Sequence, residues 1–139
     1  MKSIEWYFDF LSPFSSLQSC RLGEFPDAVE LIYRPMLFAG LLGHWETKGP
    51  GQIPPKRTLT LRHVHWLAQR MGVPYKTPHA FPYSPVRALR LAAAMGQDKA
   101  AIDTIFRCMW VDDLLPHEDE GWQGICAAVG IDDGDERVE

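Results

Sequence analysis

Apolar and polar positions change their period twice near the start of the chain. Residues 4–11 (Ile-Glu-Trp-Tyr-Phe-Asp-Phe-Leu) make a short aromatic-rich run of the kind buried in a strand. Ser12-Pro13 breaks it, and a helical spacing over 13–24 then turns Phe14, Leu17 and Leu22 inward before Gly23 and Pro26. Ser12 suits the N-cap and Pro13 the first helical position, where a missing N–H costs nothing. Residues 29–33 (Val-Glu-Leu-Ile-Tyr) are β-rich and predict a second strand ending before Pro35. A strand, a short helix and a strand imply two parallel strands joined by a right-handed crossover.

Beyond this opening the pattern is helical. Residues 36–45 are apolar with Gly40 and Gly43, and predict a short helical or irregular piece. Residues 47–55 hold Gly49, Pro50, Gly51, Pro54 and Pro55, and predict a loop. Leu61, Val64, Leu67, Ala68 and Met71 form one stripe, stopped by Gly72 and Pro74, and 75–83 is a proline-bearing loop. Ser84-Pro85 repeats the cap signature before Val86, Leu89 and Ala93. Ile102, Ile105, Phe106, Met109 and Trp110 are the cleanest apolar face, core or a helix–helix interface in a dimer. Trp122, Ile125, Cys126 and Val129 outline a last helix, and the acidic tail 132–139 reads as frayed. Two parallel strands make too small a sheet for a stable α/β domain, so further strands are expected from another chain, from missing residues or from unrecognised segments. An open parallel edge also favours association, so a homodimer is expected.

Composition narrows the function. The 139 residues, 46% hydrophobic and 23% charged, suffice for one domain, or one domain carrying an insertion. A net charge of −4 speaks against nucleic acid and against an anionic membrane surface as partners. No apolar run approaches the roughly 18 residues of a membrane span, and Glu5 and Asp9 near the start do not suit a signal peptide. Cys20, Cys108 and Cys126 are odd in number and far apart, which suits buried thiols in a reducing, cytoplasmic setting. His63 and His65, two apart on a helix, face different ways, and His44, His79 and His117 have no carboxylate or cysteine at ligand spacing, so no metal site is expected. Asp112-Asp113 with Glu118-Asp119-Glu120 reads as a solvated turn.

The candidate chemistry lies at the strand-to-helix turn. Up to four amides there lack intrahelical partners, and Ser12 adds a hydroxyl able to donate, a setting that stabilises an anion such as a thiolate. Ser12-Pro13-Phe14-Ser15 stands where a thioredoxin-type chain carries Cys-x-x-Cys, so dithiol redox chemistry is unavailable and a thiol borrowed from a ligand, glutathione above all, is the alternative. An isolated Ser-Pro is usually no more than a helix cap, and Lys56-Arg57 could be a solvated pair.

Phe8-Asp9-Phe10-Leu11-Ser12-Pro13-Phe14-Ser15 resembles the opening motif of the 2-hydroxychromene-2-carboxylate isomerases, relatives of kappa-class glutathione transferases in the DsbA-like thioredoxin superfamily. Residues 47–57 are similar to that family's glutathione-approaching loop, with Thr47 where asparagine is usual, and Phe81-Pro82-Tyr83-Ser84 with Val86-Arg87-Ala88-Leu89-Arg90 is similar to its segment leading into an inserted helix. The resemblance implies an α/β fold: a thioredoxin-like β-α-β start (1–38) with an inserted all-helical domain (39–139), the C-terminal strands of the thioredoxin fold missing. It implies Ser12 as the catalytic hydroxyl holding the glutathione sulfur, Lys56 pairing with a glutathione carboxylate, and Thr47 as a further polar contact. It implies glutathione-dependent isomerisation of 2-hydroxychromene-2-carboxylate to trans-o-hydroxybenzylidenepyruvate in aromatic catabolism, with Trp6, Phe14 and Trp45 suited to the aromatic substrate. A kappa-like transferase acting on other electrophiles, and an inactive truncated relative serving as an interaction module, remain as alternatives.

Overall fold

The computed structural model describes residues 1–138. Strand β1 (Lys2–Phe8) pairs in parallel with β2 (Val29–Pro35), Lys2 opposite Val29 and Phe8 opposite Pro35. Helix α1 (Pro13–Ser19) crosses between them. Helices α2 (Phe38–His44), α3 (Pro54–Met71), α4 (Val86–Ala94), α5 (Lys99–Trp110) and α6 (Asp119–Val129) follow. Among the described residues the sheet has these two strands alone.

Alternation along β1 decides which face is covered. Trp6 and Phe8 point inward and stack at 4.5 Å, with Tyr33 of β2 edge-on to Trp6 at 5.6 Å. Phe10, at 4.7 Å from Phe106, carries this aromatic layer onto α5. Every residue of the α5 stripe, Ile102, Ile105, Phe106, Met109 and Trp110, is buried, so α5 is the central helix. The opposite sheet face carries an exposed polar cluster: the Tyr7 hydroxyl donates to Glu5 at 2.7 Å, and Arg34 donates to the same carboxylate at 2.7 Å. A second, smaller cluster joins α1 to α3 through Leu17, Val64 and Ala68.

Several expectations are corrected. β1 ends at Phe8, not at residue 11, because the Ser12 amide donates back to the Asp9 carbonyl at 3.0 Å and turns the chain. The crossover helix stops at Ser19, and a separate 3-10 turn at Leu22–Glu24 buries Leu22. Phe14 is exposed, since Leu17 takes the inward face of so short a helix. The 47–55 loop contains a 3-10 turn at Pro50–Gln52, and Pro54 opens α3, as proline can at a first turn. Ser84 does not cap α4: the helix begins at Val86 and buries Ala88, Leu91 and Ala92 rather than the stripe through Leu89 and Ala93. Its apolar residues go nearly all round, so spacing did not single out one face. The tail is docked, not frayed: Val138 is buried in the main core, and Trp122 Nε1 donates to the Asp133 carbonyl at 3.0 Å. Glu139 lies outside the described residues. Cys20 is exposed, whereas Cys108 and Cys126 are buried.

A candidate active-site cleft at the first turn

The turn between β1 and α1 is fixed by groups far apart in sequence. Asp9 is buried, 3% exposed, and its carboxylate accepts from the Leu11 amide at 3.0 Å and from the Phe38 amide at 2.8 Å. Burial raises its pKa above the ordinary carboxylate value, and those two amides draw it partly back. The Phe10 carbonyl accepts from the Tyr83 hydroxyl at 2.9 Å and from Trp110 Nε1 at 2.8 Å. Burial holds the Tyr83 hydroxyl well above its usual pKa, so it stays a donor.

On this frame Ser12 is the N-cap of α1. Its Oγ accepts from the Ser15 amide at 3.2 Å and its carbonyl from the Ser16 amide at 3.2 Å. Pro13 has no amide hydrogen, so of the open donors expected at this end only the Phe14 N–H has no acceptor among these bonds. Among the described residues nothing accepts the Ser12 hydroxyl hydrogen. The hydroxyl therefore caps as an acceptor and keeps its one donor.

Ser12 opens on a cleft of about 860 Å³, a size suited to a small-molecule ligand. One wall is the turn itself with Phe14 and Ser15, and a second is α2 with Leu37, Phe38 and Leu42. The third comes from Phe81, Pro82 and Tyr83, where the Phe81–Pro82 peptide is cis. The floor of the loop is Gly49 to Gln52: a Cβ on Gly51 would meet the Phe81 ring at 3.0 Å, so glycine lets this loop lie against that wall. The lining is mostly apolar, and Asp9 is its one carboxylate.

The sequence-predicted site residues are partly gathered here. Ser12 and Thr47 share the cleft; Lys56 stands exposed on the first turn of α3 and is not on its wall. Of the proposed aromatic neighbours Phe14 lines the cleft, Trp6 packs on the core side of the sheet, and Trp45 is 72% exposed and off the wall. Sequence reasoning missed Asp9, although a carboxylate inside Phe8-Asp9-Phe10 is a signal that a buried acceptor is needed there. It also missed Phe38 and Phe81 as cleft walls. Nor did it foresee the partners of His79, whose Nδ1 lies 2.9 Å from Asp113 and Nε2 2.8 Å from Glu118, while Lys76 reaches Asp113 at 3.2 Å. That corrects the reading of 112–120 as a merely solvated turn. Among the described residues no cluster of histidine, cysteine or carboxylate groups could hold a metal ion, and no helix is long and apolar enough to cross a membrane.

Comparison with known proteins gives this geometry a family. The chain is 27% identical over 137 residues to the 2-hydroxychromene-2-carboxylate isomerase of Sphingobium xenophagum, spanning 94% of this chain and 70% of that protein. A solved structure of selenomethionine-labelled 2-hydroxychromene-2-carboxylate isomerase superposes with a TM-score of 0.74 at 20% identity, over 94% of this chain and 67% of that one. The DSBA-like thioredoxin domain matches residues 3–138, nearly the whole length. The parallel β-α-β opening, the serine at its turn and the helices that wall the cleft are thus those of a member of the DsbA-like thioredoxin domain family.

Proposed function

We propose that the chain is a glutathione-dependent enzyme that isomerises 2-hydroxychromene-2-carboxylate or a closely similar aromatic substrate. The observation that carries the reading is the Ser12 hydroxyl, which faces an apolar cleft with its donor unspent. The relative that is 27% identical is named as an isomerase of that substrate, which supports the reading. The donor set fits a thiolate: one hydroxyl hydrogen and the Phe14 amide, with the Asp9 charge turned toward the Leu11 and Phe38 amides. Bound glutathione would supply a nucleophilic sulfur and be regenerated each turnover. Ser12 would hold that sulfur ionised, Thr47 would meet a polar part of the peptide, and Phe14, Phe38 and Phe81 would exclude water from an aromatic ring. Lys56, off the wall, would attract a carboxylate only at the cleft's edge.

The test is a calorimetric titration with glutathione followed by turnover on the chromene and on a simple aryl halide, in the protein and in Ser12→Ala. A hydrogen bond to a charged group contributes about 1.5–3 kcal/mol, so Ser12→Ala should lower kcat by roughly 10- to 150-fold while changing glutathione affinity much less. Equal losses in both would reject the Ser12 role. Turnover of the halide with an inert chromene would make the chain a transferase, and no binding of glutathione would remove the enzymatic reading.

A further inference from the structure

Helix α2 supplies a whole wall of the cleft, yet none of its seven residues is buried. Its N-cap, Leu37, offers no side-chain acceptor to the first turn. At its C-terminal end the Thr47 amide reaches the Leu42 carbonyl at 3.0 Å, and the Leu42 side chain rests against Gly49. At its start the Met36 amide ends the sheet on the Phe8 carbonyl at 2.8 Å, and the one side-chain fastening is the Asp9 carboxylate, which takes the Phe38 amide at 2.8 Å. The other oxygen of the same carboxylate holds the Leu11 amide, immediately before Ser12. One buried group therefore ties both sides of the cleft together. No side chain of α2 is fully buried, so a charge-assisted bond in a dry setting is a large part of what holds its first turn.

We propose that Asp9 is a positioning residue whose carboxylate holds α2 as the wall facing Ser12 and so sets the cleft's width for the apolar group of its occupant. The part concerning the occupant rests on the glutathione reading above; the part concerning α2 does not. Asparagine at position 9 has one acceptor oxygen and one NH2; the oxygen stays with the Leu11 amide, two residues on in the same turn, and the NH2 is left facing the Phe38 amide. Asp9→Asn should therefore loosen α2 selectively.

The experiment is amide hydrogen exchange on the full chain, wild type against Asp9→Asn, with affinities for glutathione and S-benzylglutathione in parallel. Amides of 38–44 should exchange about tenfold faster or more in the variant, with α5 and α6 unchanged. The preference for S-benzylglutathione over glutathione should fall by about tenfold, because only the benzyl group reads the α2 wall. Should Asp9→Asn fail to fold, Asp9→Ser keeps an acceptor for the Leu11 amide two residues on and leaves none for the Phe38 amide, with the Phe38 wall intact. Unchanged exchange over 38–44, or faster exchange spread evenly along the chain, overturns the role of Asp9. An unchanged ligand preference overturns the claim about width. A wild type that binds neither compound removes the glutathione reading while exchange still decides the fastening of α2.

Discussion

The Phe10 carbonyl offers a way to measure how the turn under Ser12 is held. It receives two buried donors, Tyr83 Oη at 2.9 Å and Trp110 Nε1 at 2.8 Å, and Phe10 itself is 0% exposed. Tyr83→Phe deletes one donor but leaves the carbonyl with the indole, so the loss should be about 1 kcal/mol. Trp110→Phe leaves the carbonyl with the phenol, and its loss of about 2–3 kcal/mol should come mostly from the volume removed beside Phe81, Tyr75 and Tyr83. Only the double variant leaves the carbonyl without a donor, and an orphaned buried acceptor costs about 1–3 kcal/mol. The cycle should therefore show a coupling of about 1 kcal/mol beyond the sum of the single losses. Urea unfolding of all four proteins, compared at equal m-values, measures it. Additivity within about 0.5 kcal/mol would show that the two donors do not share one acceptor's need, and would refute the account of the turn.

Two further outcomes follow from other parts of the fold. His79 bridges Asp113 and Glu118 with both ring nitrogens, and the hydrogen bonds its ring donates to Glu118 and then Asp113 raise its pKa above 6.5. A raised folded pKa stabilises below the unfolded value, so this contribution should be complete at about pH 6 and lost as pH rises through the folded pKa. Burial pushes Asp113 up, but the His79 amide, the His79 ring and Lys76 outweigh it and hold it low, so acid below about pH 4 should weaken the clasp as well. Thermal melts of the protein and of His79→Gln between about pH 3 and 9 check this, and parallel pH curves for the two would contradict it. At Gly121, buried in the first turn of α6, an added Cβ would strike the backbone of Leu115, so Gly121→Ala should lose about 1–3 kcal/mol in urea unfolding despite alanine's better helix propensity.

How far the sequence could be read depends on whether the deciding partner was local. The α5 stripe was legible because Ile102, Ile105, Phe106, Met109 and Trp110 sit on one side of a helix whose other positions are polar or small, leaving one way to bury it. The cap at Ser12 was legible because its partner, Ser15, is three residues away. Helix α4 was misphased because Leu89, Leu91, Ala92 and Ala93 allow two apolar stripes, and only contact with the core selects the one through Ala88 and Leu91. The end of β1 was misplaced because Phe10 is as apolar as a strand residue. Its departure from the sheet is set by Asp9 and by donors from positions 83 and 110.

The same distinction runs through the site. Ser12 announces itself in the chain, but the walls around it come from 36–43 and 81–86, and no periodicity brings those segments together. Two sequence readings of Ser12, a helix cap and a holder of sulfur, look like rivals, yet they use different parts of one hydroxyl. Capping spends a lone pair on the Ser15 amide at 3.2 Å; holding an anion spends the hydrogen, for which no described residue competes. The cap even favours the second use, because the Ser15 amide fixes the oxygen at the cleft's edge and leaves its hydrogen free to turn toward an occupant. A serine that tied down its helix by donating instead would have no hydrogen left to offer an anion. The direction of that one bond therefore makes structural capping compatible with chemistry at the same atom.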